Sequence, residues 1–428
     1  MTFLLKKIYY YVKLNSVKSD FIVVYIQLYG GNQLEYKNIK ELPVSVKSAD
    51  NYDVDSLCKI IREQFEHIGL SKSDFEGKKV AIKPNLIIKK SPEYAATTRP
   101  EILEAVIRII STYNCKDIVI AESAGGPYTE ESLRATYSVC KIKDVAEKCG
   151  VKLNYDTSYT EVNSKEAKLV KKFNVLTPIY EADIIVNLPK IKTHSLTGMS
   201  GAVKNYFGVI PGLQKFEMHA RFPDYSEFAS MLNDLAYTLA SEKLTVNILD
   251  AIVGMEGNGP TGGSPRQIGC LITSLNPFNI DRVAKEIIGV KEVLYVEESI
   301  KRGYTFASAD DVSVIGDDYK KFCITDYKMP DSKPRGLALM LRKCSGGKLG
   351  QFFSPRPVIS NRCVGCGECE RSCPKHTIDM VEHKGKKIAS IKLDNCIRCF
   401  CCQELCPLRA IDIKNNSLVS FVNRTKKK

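Results

Sequence analysis

The amino-acid sequence predicts an α/β fold, a largely parallel sheet covered by helices, followed by a small cysteine-rich α+β module. Between residues 46 and 330, short apolar strands alternate with amphipathic helices, a pattern typical of parallel sheets with both faces covered. Towards the carboxyl end, eight cysteines recur with one spacing in two copies. The 428 residues are enough for two or three domains with a large core.

The first part of the α/β segment contains three helical patterns separated by short apolar runs. Apolar residues at helical spacing define the first helix, and Pro100 opens the second because proline is tolerated in a first helical turn. In chain order, the sequence predicts helix 53–67, strand 79–82, helix 100–113, strand 118–120 and helix 130–148.

The second part repeats this alternation with additional strands. The predicted elements are strands 151–156, 169–176 and 183–186, a helix beginning near 197–207, helix 225–241, strands 244–249 and 268–274, and helix 280–288. Two stretches after strands are expected to be loops, residues 187–194 and the glycine-rich residues 255–263.

Polar residues concentrate at predicted strand ends. In open parallel sheets, ligands bind beyond the carboxyl ends of the strands, so we expect a cleft where these loops meet. Residues 122–127 match neither Walker A nor G-x-G-x-x-G, and the alternative is that the glycines after the strands only form turns. The candidate cleft residues are Lys83, Asn85, Glu122, Ser123, Lys190, Asn205, Asp250, Glu256 and Asn258.

Four basic residues are candidate catalytic side chains: His194, Lys192, Lys204 and His219. His194 is the most suggestive, because it follows two lysines in a polar stretch and the chain has only five histidines. A lone histidine can act as a general acid or base near neutral pH, but it is more often structural. Both interpretations stay open at this stage.

Two kinds of additional ligand are considered for the cleft. The helix expected after residues 197–201 would offer free N–H groups close to several lysines, which suits a small anion such as a carboxylate or phosphate. Asp250, Glu256 and Asn258 could instead bind a divalent cation through hard oxygen ligands, although their spacing matches no known loop.

The cysteine-rich module contains two copies of the pattern C-x2-C-x2-C-x3-C-P, 33 residues apart. Ile378-Asp379-Met380 after the first copy aligns with Ile411-Asp412-Ile413 after the second, so one small unit is repeated. The cysteines are Cys363, Cys366, Cys369 and Cys373, followed by Cys396, Cys399, Cys402 and Cys406. This pattern is typical of two [4Fe-4S] clusters.

The spacing also predicts which thiolates share a cluster. Three cysteines of one loop can face one cube, while the fourth lies past a turn and reaches the other cube. We therefore expect Cys363, Cys366, Cys369 and Cys406 on cluster 1, and Cys396, Cys399, Cys402 and Cys373 on cluster 2. Zinc sites and disulfide scaffolds are the alternatives, but zinc knuckles have no counterpart of the third and fourth cysteines, and disulfides suit secreted chains. Cys401 is interpreted as a spare buried thiol.

Two resemblances follow from these motifs. Residues 357–416 resemble a bacterial two-cluster ferredoxin. Residues 46–325 resemble the family catalogued as domain of unknown function 362, whose members often carry a C-terminal ferredoxin module. The motifs that carry this second resemblance are KPNL at 83–86, NLPKIKTH at 187–194, GAVKNYFG at 201–208 and MEGNGP at 255–260. The resemblance implies an architecture and no particular reaction.

The composition indicates the cellular compartment and the classes of partner that are expected for this protein. Sixteen cysteines, half of them without motif spacing, indicate a reducing, cytoplasmic setting. The net charge of +13 is spread along the chain without a nucleic-acid motif, so we expect no nucleic-acid partner. The apolar run 21–26 is too short to span a bilayer, and no signal-peptide cleavage pattern follows it.

The predicted organisation has five parts. They are an N-terminal extension at 1–45, an α/β domain at 46–330, a linker or docking segment at 331–356, a two-cluster module at 357–416 and a basic tail at 417–428.

Three functions are compatible with this organisation. The first is an iron–sulfur oxidoreductase that passes electrons between a donor or acceptor protein and a small molecule in the cleft. The second is a redox-dependent accessory or binding protein that donates electrons to a partner enzyme. The third is a non-redox enzyme with structural clusters. No flavin or nicotinamide fingerprint is visible in the sequence.

Overall fold

A computed structural model describes residues 39–330 and 355–414, together with the backbone of 28–29 and 33–34. Most of the predicted N-terminal extension, nearly all of the linker at 331–356 and the basic tail at 417–428 lie outside the described residues. None of the helices in the described ranges is long and apolar enough to cross a bilayer.

Eighteen strands are found in the described residues. In chain order they are β1 (Leu28–Tyr29), β2 (Gln33–Leu34), β3 (Val44–Ser48), β4 (Lys79–Lys83), β5 (Asp117–Ile120), β6 (Lys152–Leu153), β7 (Tyr159–Asn163), β8 (Lys172–Leu176), β9 (Ile184–Asn187), β10 (Lys190–His194), β11 (Gly198–Ser200), β12 (Leu244–Glu256), β13 (Ser264–Ser274), β14 (Val314–Gly316), β15 (Arg356–Ile359), β16 (Ile378–His383), β17 (Lys386–Ile391) and β18 (Ile411–Lys414).

Thirteen α-helices accompany them in the same ranges. They are α1 (Val54–His67), α2 (Lys72–Phe75), α3 (Pro100–Ile110), α4 (Glu130–Val139), α5 (Ile142–Cys149), α6 (Thr177–Glu181), α7 (Ala202–Asn205), α8 (Gln214–Arg221), α9 (Tyr225–Glu242), α10 (Pro277–Ile287), α11 (Leu294–Lys301), α12 (Glu368–Arg371) and α13 (Cys401–Leu405). Asp53 starts α1 as its N-cap, because its carboxylate accepts a hydrogen bond of 2.9 Å from the Ser56 N–H.

The central sheet has the strand order β14-β3-β13-β12-β9-β4-β5-β6. The neighbours from β12 to β6 are parallel, whereas β13 is antiparallel to both β12 and β3. Every residue of β9 is buried, as are four of the five residues of β4, which requires cover on both faces. The predicted α/β fold with a largely parallel sheet is confirmed.

Some element predictions differ from the structure, and two of these differences have a clear physical reason. Residues 190–194 were expected in a loop but form β10, because the 13-residue β12 extends beyond β9 and pairs with β10 there. The predicted helix 130–148 is two helices, since Lys141 adopts a left-handed φ of 61° between α4 and α5. Both differences arise where tertiary pairing or a single backbone angle overrides the local pattern.

The cysteine-rich module is built from two antiparallel pairs, β15–β18 and β16–β17, and two short helices. The sequence repeat extends to the backbone conformation. Gly365 and Gly367 have φ values of 68° and 79°, and the equivalent residues of the second copy, Arg398 and Phe400, have φ values of 57° and 63°. The second loop therefore keeps the left-handed turns that glycine makes easy, at a cost in backbone strain.

Candidate functional site

The eight motif cysteines lie in two groups of four. Cys363, Cys366, Cys369 and Cys406 line one cavity. Cys373, Cys396, Cys399 and Cys402 line a second. These are the two ligand sets that the spacing predicts, with the fourth cysteine of each copy placed on the other group. Metal ligation by these residues remains a prediction.

The surroundings of these sulfurs fit [4Fe-4S] cubes. Backbone N–H groups point at three of them: Ala410 donates to Cys406 Sγ at 3.1 Å, Ala389 to Cys363 Sγ at 3.4 Å, and Thr377 to Cys373 Sγ at 3.4 Å. Such donors stabilise the negative charge of thiolates bound to iron. Apolar residues, among them Ile359, Met380 and Ile411 in the first group, complete both walls.

A third cavity lies where α13 of the module meets the α/β domain. Its volume is about 70 Å³. The α/β domain contributes Asn85, Glu122, Ser123, Ser200, Lys204, Asn205, Lys215 and His219 to the lining, and the module contributes Cys401, Glu404 and Leu405. We call this space the interdomain cavity.

Polar and apolar contacts hold α13 in this position. The Thr261 hydroxyl donates to the Glu404 carbonyl oxygen at 2.9 Å, and the Gln403 amide donates to the Asn258 carbonyl oxygen at 3.4 Å. Leu405 packs so closely on Gly125 that a Cβ on this glycine would overlap with the leucine side chain. The glycine-rich stretches of the α/β domain thus act here as docking surfaces for the module.

A buried ion pair forms one wall of the interdomain cavity. Lys83 Nζ lies 2.6 Å from Glu122 Oε2, and both side chains are almost fully buried. Burial lowers the pKa of Lys83 and raises that of Glu122, and the attraction between the two charges opposes both shifts. Gly208 lies against this pair, and a Cβ there would overlap with the Glu122 carboxylate.

Lys215 on α8 is held beside this pair by three acceptors. Its Nζ donates to the Ser123 carbonyl oxygen at 2.5 Å, the Ser123 hydroxyl at 2.9 Å and the Ile210 carbonyl oxygen at 2.9 Å. Burial lowers the pKa of Lys215 to about 7. Three oxygen acceptors around one ammonium group favour its charged form.

A series of buried asparagine amides, each hydrogen-bonded to the next, begins at Lys192. Lys192 Nζ donates to Asn85 Oδ1 at 2.5 Å and to the Ala96 carbonyl oxygen at 2.7 Å. The amide groups then follow one another from Asn85 to Asn205, Asn187 and Asn247, with N···O distances of 2.7, 2.7 and 2.9 Å. Every amide oxygen in this series faces the lysine end, so the aligned dipoles stabilise the Lys192 ammonium group, whose pKa burial lowers.

Lys204, at the end of α7, is in a different situation. Its side chain is buried and lines the interdomain cavity, with Nζ 5.6 Å from the centre of the Phe207 ring. Within residues 39–330 and 355–414, no oxygen is placed to accept a hydrogen bond from it. Burial lowers the pKa of Lys204, whereas Glu404 and Cys401, which line the same cavity, raise it.

His194 lies behind Glu404. Its Nδ1 accepts hydrogen bonds from the backbone N–H groups of Leu196 and Thr197 at 3.1 and 3.4 Å, so Nε2 carries the proton of the neutral ring. Nε2 is 3.2 Å from Glu404 Oε1, but the two are not aligned as a hydrogen bond, and neither atom has such a partner in the described part of the chain. Burial holds the pKa of His194 well below its usual range.

His219 on α8 reaches the same cavity. Its ring stacks on Phe228 with centroids 4.3 Å apart, and Phe207 meets it edge-on at 5.7 Å. Burial lowers the pKa of His219 to about 3, with a smaller contribution from Lys204. The ring is therefore neutral at neutral pH.

Several predicted cleft residues lie elsewhere. Lys190 Nζ forms a buried ion pair with Asp250 at 2.6 Å, and the Tyr52 hydroxyl donates to the same carboxylate at 3.0 Å. Glu256 lies 3.4 Å from Lys328 Nζ. Asn258 contacts the module through the carbonyl oxygen described above.

The structure does not bring the three predicted cation ligands together. No three His, Cys, Asp or Glu side chains in the described ranges are arranged to hold a single metal ion.

The expected anion site at the start of α7 is also not available. The N–H groups of Ala202 and Val203 were predicted to be free, but they donate to the Asp281 carboxylate at 2.6 and 2.9 Å. Asp281 follows the predicted strand 268–274 by only a few residues, and nothing local in the sequence connects it to α7. That part of the prediction is wrong because a carboxylate of the chain itself occupies the helix start.

Sequence reasoning missed three titratable residues of the cavity wall. Lys215, Glu404 and Cys401 belong to segments that carry no recognisable motif for this site. Cys401 was interpreted as a spare buried thiol; it is buried, and it also lines the cavity. Only Glu404 offered a signal, since it is a carboxylate between two cluster cysteines, Cys402 and Cys406.

Comparisons with known proteins match both the α/β domain and the cysteine-rich module. The model of the family described as domain of unknown function (DUF362) matches residues 80–286. A thylakoid-associated protein of Synechocystis sp. is 31% identical over 252 residues, which are 57% of this chain and 74% of that protein. The chain belongs to the DUF362 family. This DUF362 protein also matches a 4Fe-4S dicluster domain at residues 362–410, so it is an iron–sulfur protein.

Two solved structures are more distant from this DUF362 protein. One is a Thermotoga maritima protein with 10% identity and a TM-score of 0.33, covering 60% of each chain. The other is the lactate racemase apoprotein of Thermoanaerobacterium thermosaccharolyticum, with 15% identity and a TM-score of 0.38, covering 64% of this chain and 61% of that one. This chain thus spans about three fifths of each structure.

Proposed function

We propose that this protein binds two [4Fe-4S] clusters and is an oxidoreductase that transfers electrons between a redox partner protein and a small anionic molecule in the interdomain cavity. The observation that carries this proposal is the position of α13. Cys399 and Cys402 line the second cysteine cavity, and Cys401, between them in sequence, lines the interdomain cavity. A cluster bound by Cys399 and Cys402 would therefore be separated from a molecule in the interdomain cavity by a single residue, Cys401.

The other cysteine group offers an entry point for electrons. Val364 and Leu408 line the first cysteine cavity and expose 65% and 46% of their surface. Exposed apolar side chains of this size next to a cluster suit transient docking of a carrier protein. The proposed path runs from this face through cluster 1 and cluster 2 to the interdomain cavity.

The charge of the cavity supports an anionic ligand. Four lysines lie in or directly behind its wall, and only two glutamates accompany them. The lysines are Lys83, Lys192, Lys204 and Lys215, and the glutamates are Glu122 and Glu404. A small anion balances the excess positive charge in a site from which most water is excluded.

The residues around the cavity bind the anion, support the cavity wall or limit the size of the ligand. Lys204 binds the anion, because its ammonium group is the one in this cluster that has no oxygen acceptor in the described ranges. The Lys83–Glu122 pair and the Lys215–Ser123 contacts hold the wall in shape. His219, neutral and wedged between two phenylalanines, limits the size of the ligand. When bound, each cluster supplies one-electron transfer, so two reduced clusters provide an electron pair.

The test uses anaerobically purified protein reduced with dithionite and freed of excess reductant. We expect about eight iron and about eight sulfide per chain. A panel of small carboxylates with a reducible group is then added as electron acceptors, such as 2-oxo acids, whose keto group takes two electrons and two protons to give the 2-hydroxy acid. Reoxidation of the clusters is followed by visible absorbance and EPR. At least one oxyanion is expected to reoxidise the wild-type clusters faster than buffer alone does.

Lys204→Met is expected to slow this reoxidation about tenfold or more, the effect of losing a charged contact with the ligand. Lys328→Met is the matched control, since Lys328 is exposed and does not line the cavity. If no member of the panel reoxidises the clusters, or if Lys204→Met reacts at the wild-type rate, the proposed function is wrong.

A further inference from the structure

The interdomain cavity has two unsatisfied polar groups that come from different domains. On the α/β side, Lys204 Nζ donates to no oxygen in the described ranges, although it is buried. The three lysines around it are all satisfied: Lys83 by Glu122, Lys192 by an amide and a carbonyl oxygen, and Lys215 by three oxygens. A buried ammonium group that lacks an acceptor is costly unless a ligand supplies one.

On the module side, Glu404 presents a carboxylate to the same cavity. Its side chain is only 12% exposed, and its Oε1 has no hydrogen-bond partner in the parts of the chain that the structure describes. His194 Nε2 is near but misaligned, and no lysine or arginine of the described residues lies within ion-pair distance of this carboxylate. Glu404 therefore offers an acceptor that the protein itself leaves unused.

These two groups need opposite things from a ligand. Lys204 needs an acceptor, which any small oxyanion provides. Glu404 needs a donor, which acetate or a fully ionised phosphate does not have. A molecule that satisfies both carries an anionic group and a hydroxyl or amino group a few ångströms away from it. A cavity of about 70 Å³ limits it to a few non-hydrogen atoms.

We propose that the ligand is a small hydroxy or amino acid, with its carboxylate on Lys204 and its hydroxyl or amino group donating to Glu404. This rests on the proposed function for the presence of a small anion in the cavity, and it adds the class of that molecule. Glu404 becomes the residue that determines specificity, and it belongs to the cluster module. The module therefore completes the binding site, and the ligand bridges the two domains.

Two probes that differ by one hydroxyl group test this directly. Glycolate and acetate have the same carboxylate, and glycolate adds a donor on the neighbouring carbon. Binding is measured by isothermal titration calorimetry on the anaerobic, oxidised protein with its clusters in place. We expect glycolate to bind about tenfold or more tightly than acetate, because a site built to bond a hydroxyl rejects the analogue that lacks it.

Variants of Glu404 and Lys204 test how each residue contributes to the preference for glycolate over acetate. Glu404→Met should reduce the ratio of the two affinities to about one, and Glu404→Gln, which keeps an acceptor oxygen, should retain most of it. Lys204→Met should weaken the binding of both probes. Glu382→Met is the matched control in the module, because Glu382 is exposed and absent from the cavity lining, and it should leave the ratio unchanged. Iron content verifies that each variant retains its clusters.

Equal affinity of the two probes, absence of binding by glycolate, or a ratio that survives Glu404→Met would each overturn the inference. These measurements involve no electron transfer, so they separate the class of ligand from the proposed reaction. Glycolate preference without any reoxidation of reduced clusters would uphold this inference while the proposed function fails. Reoxidation by an acceptor that lacks a donor group, with no preference for glycolate, would do the reverse.

Discussion

Cys373→Ala is expected to remove the cluster that involves Cys396, Cys399 and Cys402 and to leave the other cluster intact. Cys373 belongs to the first sequence copy, but its side chain lies in the cavity lined by the second copy. The Thr377 N–H donates to its sulfur at 3.4 Å, as expected for a thiolate that binds iron. A cube that loses one of four thiolates loses much of its binding free energy and becomes labile.

Iron analysis and EPR after dithionite reduction measure this effect. The variant should contain about four iron atoms per chain in place of about eight, and the magnetic coupling between two reduced clusters should disappear. Cys401→Ala is the matched control, since Cys401 lies outside both cysteine cavities, and its iron content should equal that of the wild type. Loss of the cluster at Cys363, Cys366 and Cys369 with retention of the other would contradict the assignment.

This part of the site could be predicted from sequence because its geometry is local. Three cysteines within seven residues must face one centre, and the proline after the fourth turns the chain away. The repeat in sequence corresponds to a repeat in the backbone, since Arg398 and Phe400 take the left-handed turns of Gly365 and Gly367 without being glycine. The α/β class was predictable for a similar reason, because strand and helix periodicities are local patterns.

The interdomain cavity could be predicted only in part. Lys83, Asn85, Glu122, Ser123, Lys204, Asn205 and His219 were among the candidates, and the structure places all of them on its wall or directly behind it. The rule that ligands bind beyond strand ends was sufficient for Lys83, Asn85, Glu122 and Ser123. It did not separate them from Lys190 and Asp250, which also follow strands but neutralise each other in a different buried cluster with Tyr52.

The contribution of the module could not be predicted from the sequence. Glu404 is more than 190 residues away from Lys204 in the chain, and no periodicity or motif places the two in one cavity. Their proximity depends on the docking of α13, through Leu405 on Gly125 and the Thr261 hydroxyl on the Glu404 carbonyl oxygen. The glycines after strand ends, considered above as simple turn residues, have their role in this contact.

Lys83→Met is expected to lower the free energy of unfolding by about 3–5 kcal/mol, the largest effect on stability among the cavity residues. The reason is the partner that remains. Glu122 would keep its carboxylate at 4% side-chain exposure, with the Ser123 N–H at 3.0 Å as a neutral donor and Lys215 already bonded to three other oxygens. Burial, which already raises the pKa of Glu122, would then act without its main opposing charge.

Chemical denaturation of the anaerobic protein, followed by far-UV circular dichroism, measures this loss, and two comparisons establish its cause. In Lys83→Met/Glu122→Met both charges are gone, so most of the lost stability should return, because burying an ion pair gains little over burying apolar groups. Lys172→Met removes a pair of the same 2.6 Å length with Glu161, but both side chains are more than half exposed, so the cost should stay below about 1 kcal/mol. A double variant as unstable as Lys83→Met would mean that Lys83 acts through packing, and the buried pair would then no longer explain the shape of the cavity wall.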